Sequence, residues 1–288
     1  MDLERLRNHL QRLEGERHPW TSPERLEAAQ QYVLEQWRAW GLTVLSDEFS
    51  YMGRSFVNLI ARPPGTPDGP RLLVGAHLDT VPGSPGADDN ASGVAALLEV
   101  SRLAAAWPQP PAVEFVAFAL EELGLVGSSH YAAALRRSRT PLRGMLSLEM
   151  VGFTERQGHQ HYPPFLRGRF PAEGTFIGLA ANRRSRALLD AVAGAMRTIP
   201  DLPVETLLLP GNGWFFPESR LSDHAPFWDR GYPALLVSDT AFFRNPHYHQ
   251  ATDTVATLDV PFLARVAGGV AAALRALSAL PFRERTLL

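Results

Sequence analysis

The segment HLDTVPGSPGADDNASG, residues 77–93, sets His77, Asp79, Asp88 and Asp89 among glycines and prolines directly after the apolar run RLLVGA. A turn needs one Asp or Asn to bond its own backbone, not a histidine and three aspartates together. The same habit recurs along the chain. The run AVEFVAFAL leads into Glu121 and Glu122, GMLSLEMV carries Glu149, and PALLVSD is soon followed by RNPHYHQATDT with His247, Tyr248 and His249. Alone, each fragment reads as a turn, a solvated helix start or a loop. Glu149 is the exception, because its neighbours are apolar and an unpaired carboxylate among them costs roughly several kcal/mol.

Imidazoles and carboxylates gathered in this way suit zinc, which takes nitrogen and oxygen ligands and leaves a position open for water at catalytic sites. Two metals about 3.5–4 Å apart need a carboxylate shared between them. Asp88, in a Gly-rich loop just before a helix, is placed to bridge them. Asp79, two residues past His77, can accept the other ring N–H and fix the tautomer. Of the adjacent glutamates, one can bind metal while its neighbour takes the proton from an attacking water.

The elements that must position these groups follow from periodicity and breakers. TSPERLEAAQQYVLEQWRAWG reads as a helix with Thr21 or Ser22 at its cap, Pro23 in its first turn and Gly41 at its stop. LTVLSDEFSYM and SFVNLIAR form an expected hairpin. RLLVGA, AVEFVAFAL, GMLSLEMV and PALLVSD are short, apolar and not alternating, as expected of strands buried on both faces. Between and after them lie helical patterns in ASGVAALLEVSRLAAA, GSSHYAAALRR, RSRALLDAVAGAMRT and residues 261–279. Strands alternating with helices imply an α/β fold, a single domain over residues 1–288 whose central mixed sheet is mainly parallel and flanked by helices. Ligands in such folds bind outside the carboxyl ends of the strands, which is where the polar residues fall. Residues 153–225 are expected to be irregular, pocket-forming loops. Their aromatics, Phe153, Tyr162, Phe165, Phe170, Trp214, Phe215 and Phe216, are candidates for an apolar wall that would favour apolar substrate residues.

In this order the motifs HLD, GADDNASG, EELG, LEMVG, SDHAPFW and NPHYH followed by TDT resemble the co-catalytic di-zinc aminopeptidases, the family twenty-eight metallopeptidases. The resemblance spans about residues 75–254 and implies an aminopeptidase acting on peptides with two zinc ions per chain. It implies His77, Asp88 and Glu149 around one zinc, and Asp88, Glu122 and His249 around the other. Glu121 would be the general base and acid, and Tyr248 the tyrosine that polarises the carbonyl or holds the oxyanion. One departure is Glu149, where the family more often has Asp. Asp223 and His224 of SDHAPFW could line the pocket or serve a turn; His159, His161 and His247 match no ligand position, and Asp253 reads as a helix-capping or loop-fixing residue.

Composition narrows the alternatives. The 28 basic residues, all Arg, nearly balance 30 acidic ones, so a nucleic-acid or polyanion partner is not expected. Without cysteine, thiolate metal sites and cysteine nucleophiles are excluded. The charged start MDLERLRNHLQRLEGER has no apolar core of a secretory signal, and Arg265 and Arg275 interrupt the late apolar stretch, so a cytoplasmic location is the expectation. A glutaminyl-cyclase-like acyltransferase and a non-catalytic peptidase-like binding module are the competing readings. Both are disfavoured by the full set of five ligands plus a base.

Overall fold

The structure, a computed structural model, describes residues 1–158 and 160–279. His159 lies outside them. Two helices, α1 (Leu3–Leu13) and α2 (Pro23–Ala39), precede the hairpin of β1 (Thr43–Tyr51) and β2 (Arg54–Arg62). Then follow β3 (Arg71–His77), α3 (Gly93–Ala105), β4 (Val113–Phe118), α4 (Val126–Arg137) and β5 (Leu142–Glu149). The second half adds β6 (Ile177–Asn182), α5 (Arg186–Met196), β7 (Val204–Leu209), α6 (Ala225–Asp229), β8 (Ala234–Ser238) and α7 (Val260–Ala279). Ser22 precedes α2 but its side chain caps nothing; Thr21 instead bonds Glu16 and His18.

The eight strands form one sheet in the order β1-β2-β4-β3-β5-β8-β6-β7. β4, β3, β5 and β8 run parallel, β6 is antiparallel to β8, and β7 runs parallel to β6. Alternate residues of the central strands face opposite cores. Leu72, Val74 and Ala76 of β3 pack with α1, α2, α3, α5 and α7, whereas Leu73 packs on the other side with Tyr131 of α4 and Phe227 of α6. Both faces are covered, which is why the central runs are uniformly apolar. α7 is long and apolar enough to cross a membrane by length and composition, but its Leu263, Val266, Val270 and Leu274 are buried in the first of these cores.

The expectation of irregular loops over 153–225 needs correcting. That range contains β6, α5 and β7, which extend the sheet beyond β8. Among the described residues of this range the loops are 150–158, 160–176, 197–203 and 210–224.

Candidate metal centre and pocket

β3, β4 and β5 end side by side, and the residues after them converge. His77 closes β3, Glu121 and Glu122 follow β4, and Glu149 closes β5. His249 arrives on the loop after β8. Two groups of donor atoms result, His77 with Glu121 and Glu149, and Asp89 with Glu122 and His249; within each, the atoms lie within 4.8 Å of one another. Asp89 joins the two. Its Oδ1 is 3.2 Å from His77 Nε2 and its Oδ2 is 3.1 Å from His249 Nε2. His77 Nε2 is also 3.4 Å from Glu149 Oε1 and 3.9 Å from Glu121 Oε2, and His249 Nε2 is 3.3 Å from Glu122 Oε2.

This corrects the expected bridge by one residue. Asp88 is turned away from the cluster: its Oδ1 accepts the Gly152 N–H at 3.0 Å and its Oδ2 the Asn245 amide at 2.7 Å. Burial, then the neighbouring Asp239 carboxylate, push Asp88 well above the usual carboxylate range. A carboxyl whose two oxygens are taken by Gly152 and Asn245 serves the loop and does not face the imidazoles.

Backbone–side-chain bonds fix the direction of Asp89. The Asp253 carboxylate accepts the Asp88 N–H at 2.9 Å and the Asp89 N–H at 3.1 Å, a loop-fixing role. Asn90 donates to Leu148 O at 2.8 Å and accepts from Gly93 and Met150 N–H, tying the loop to the end of β5. Gly93 permits that approach, since a Cβ there would meet Asn90 Oδ1 at 2.2 Å. Arg17, which the sequence reading passed over, holds the same loop from behind. Its guanidinium donates to the carbonyls of Leu13, Gly15, Leu78, Pro85 and Gly86.

Asp79 differs in detail from expectation. His77 Nδ1 lies 3.1 Å from the Asp79 backbone carbonyl but 3.8 Å from its carboxylate, so the carbonyl orients the ring. The Asp79 carboxylate instead accepts the N–H groups of Glu121 at 3.0 Å and Glu122 at 3.1 Å, fixing both glutamates at once. Glu149, one methylene longer than Asp, is steadied by the Ser222 hydroxyl at 2.8 Å.

Four carboxylates meet two imidazoles here, and the cluster is short of positive charge. Burial raises Glu122 to about 7; Glu121 is pushed well above its usual range by burial and by the Glu149, Asp223 and Glu122 charges, with His77 opposing. Burial opposes ionisation of His249, yet Asp89 and Glu122 raise it to about 10. His249 Nε2 and Glu122 Oε1 are buried without a well-aligned hydrogen bond, although ion-pair distances separate His249 from both carboxylates. Nitrogen and oxygen donors crowded around an unmet need for cationic charge fit divalent zinc.

The cluster opens into a pocket of about 1010 Å³, its mouth included. Tyr162, Phe170 and Phe216 line it as expected, joined by Phe176, Phe242 and Phe243. Phe153 is buried elsewhere, edge-on to His247, and Phe165, Trp214 and Phe215 are exposed outside the lining. Tyr248 lines the pocket with its ring stacked 3.7 Å from that of His249, and burial with the nearby carboxylates keeps its hydroxyl protonated. Asp223 is buried beside Glu121 and raised to about 7 by burial. His224 serves the turn, bonding the Ser219 carbonyl at 2.9 Å, and His247 bonds Thr252. His161 is exposed.

An α/β sheet whose strand ends gather two adjoining imidazole–carboxylate groups defines a metal-dependent hydrolase. The chain belongs to peptidase family M28, whose model matches residues 58–274. It is 35% identical over 260 residues to the uncharacterized protein YfbL of Escherichia coli, covering 85% of this chain and 78% of that one. Among solved structures it resembles the LapA aminopeptidase of Legionella pneumophila, with a TM-score of 0.74, 19% identity and coverage of 97% and 70% of the two chains. It also resembles a zinc aminopeptidase from Bacillus subtilis, with a TM-score of 0.58 and 26% identity, covering 78% of this chain but only 51% of that one.

Proposed function

We propose that this protein is a di-zinc aminopeptidase in which Asp89 bridges the two ions. His77 and Glu149 would hold one zinc, Glu122 and His249 the other. The observation that carries the reading is the Asp89 carboxylate, with one oxygen directed at each imidazole and a further carboxylate beyond each. The names of the Legionella and Bacillus relatives favour release of amino-terminal residues.

When bound, the zinc pair supplies Lewis acidity toward the scissile carbonyl and an acidified water. Glu121, buried and pushed toward protonation, is suited to accept the proton from that water on a carboxylate oxygen and return it to the departing amine. The Asp79 carboxylate holds the Glu121 and Glu122 backbone, so base and ligand cannot exchange places without breaking two hydrogen bonds. Tyr248 keeps its proton and can offer a hydrogen bond to the developing oxyanion. Two donor groups sharing Asp89 favour hydrolysis over a cyclising reaction that needs no activated water. Intact donors speak against a non-catalytic module.

The test combines metal counting by elemental analysis with hydrolysis of a panel of aminoacyl anilides, before and after chelation. Two ions per chain and chelator-sensitive activity are expected. Full activity in a metal-free preparation would sink the proposal.

A further inference from the structure

The pocket floor is the face of β8, β6 and β7, and its register sets four residues in one line. Glu149 pairs with Ser238, Ser238 with Gly178, and Gly178 with Glu205. All four line the pocket. At about 4.8 Å between strands, Glu205 lies about 14 Å from Glu149 along this row, measured between backbones. Within the row itself only a hydroxymethyl group and a hydrogen atom separate the two carboxylates, so it forms a trench flanked at Gly178 by Thr240 and Phe176. A Cβ at Gly178 would already come within 3.3 Å of the Ser238 carbonyl and 3.4 Å of Thr240.

At the far end burial raises the Tyr162 phenol, the Arg244 guanidinium opposes the rise and Glu205 adds to it. Tyr162 and Phe170 hold their rings 5.9 Å apart there. Glu205 itself is partly exposed and makes no ion pair among the described residues. Among the described residues no Arg, Lys or His lines the pocket, which also carries Glu218. Arg244 stacks on Phe176 at 4.5 Å and is bonded to Gln160 and to the Phe153 carbonyl.

We infer that Glu205 makes this pocket selective for amino-terminal residues with long cationic side chains, arginine or lysine, in place of the apolar preference suggested by the aromatic wall alone. The inference rests on the aminopeptidase reading. Lengths support it. An extended arginine or lysine side chain reaches about 6–7 Å, and its contact with a Glu205 carboxylate that stands up from the strand adds about 3 Å, together about 10 Å of the row. About 4 Å remains to place the scissile carbonyl at the metal centre. Leucine reaches only about 2.5 Å and ends short of Gly178, which lies two strands, about 10 Å, along the row, so the Glu205 carboxylate is left without a partner. A basic side chain lays its stem along the aromatic wall, presents its charge to ring faces and ends on the carboxylate.

The experiment compares kcat/KM for Arg, Lys, citrulline, Leu and Glu 4-nitroanilides in the zinc-loaded wild-type protein and in Glu205→Gln, with thermal melting to verify folding. Hydrogen bonds to charged groups imply that wild type favours Arg and Lys over Leu by about tenfold or more. Citrulline, which matches arginine in shape but not in charge, should fall back toward Leu. Glu205→Gln should lower the Arg-to-Leu ratio about ten- to hundredfold. Glu205→Arg, a second variant at the same edge strand, should lower that ratio further and raise turnover of the Glu substrate relative to Lys. Hydrolysis with Leu favoured over Arg, or an Arg-to-Leu ratio unmoved in Glu205→Gln, overturns the inference alone. Hydrolysis of no substrate overturns the aminopeptidase reading and the inference together.

Discussion

Replacing Asp89 and Asp88 separately by Asn distinguishes the bridge from its neighbour. Asp89 offers one oxygen to each donor group, at 3.2 Å from His77 and 3.1 Å from His249. Asp89→Asn removes a negative charge and turns one of those oxygens into a donor facing a metal position. Loss of a partner behind a ligand already costs about 10–100-fold in metal affinity, so loss of the shared ligand should exceed about 100-fold at the weaker position. Asp88→Asn acts elsewhere. Both Asp88 oxygens accept, from Gly152 and Asn245, so the amide keeps one acceptor and sets one donor against a donor. That should cost about 1–3 kcal/mol of folding stability with both ions retained.

Dialysis of both variants against a zinc buffer of graded free concentration, followed by elemental analysis, reads the affinities; urea unfolding of the metal-free forms reads the stabilities. The expected pattern is a crossed one, with metal lost in Asp89→Asn and stability lost in Asp88→Asn. Two tightly held ions in Asp89→Asn together with metal loss in Asp88→Asn would return the bridge to Asp88 and refute the reading of this loop.

Glu121→Gln should keep both ions while turnover falls about 10²–10⁴-fold, whereas Glu122→Gln should lose metal and recover partly in excess zinc; the reverse pattern exchanges their roles. His224 is held near 3 by burial, so the unfolded chain, titrating near 6.5, binds the extra proton as pH falls. Its stabilising effect is therefore full above pH 6.5 and lost progressively toward pH 3, about 2 kcal/mol between pH 7 and 5; a His224→Gln variant with the same pH slope in urea unfolding would contradict this. Arg17→Lys can satisfy at most three of the five carbonyls, which predicts a loss of about 2–4 kcal/mol in the same assay and fails if the change is under about 0.5 kcal/mol.

The β1–β2 hairpin was legible from its alternation, and the central strands from bodies given over to packing, with His77 and Glu149 at the ends of β3 and β5. β3, β4, β5 and β8 are apolar on both faces because helices cover both faces. β6 and β7 escaped notice because the pocket has altered them. Gly178 and Ala180 keep the floor of β6 low, Glu205 places a charge on β7, and both changes weaken the apolar pattern that marks a strand. The metal centre was legible as a set of strand ends but not at the level of adjacent residues. Spacing cannot distinguish Asp88 from Asp89. The choice is made by Gly152, Asn245 and Asp253, far away in sequence, whose bonds turn one carboxylate inward and leave the other facing the imidazoles.

That arrangement constrains how the loop can be held at all. Any cation within bonding distance of Asp89, Glu122 or Glu149 would compete with a metal for the same oxygens. Arg17 avoids this by placing its N–H groups on five backbone carbonyls and, among the described residues, making no ion pair. Burial lowers it to about 10, against the pull of Asp89, Asp253, Asp79 and Glu122, so it remains charged at neutral pH. The carboxylates therefore experience its field without giving up a lone pair. Asp253 and Asp79 apply the same logic with opposite sign, bonding neutral N–H groups of the residues they position. A lysine, with three donors on a compact head, could not span carbonyls from both the α1 end and the 78–86 loop. Holding the loop with dipoles while leaving the site's carboxylates free is what makes arginine, and not simply positive charge, the requirement at position 17.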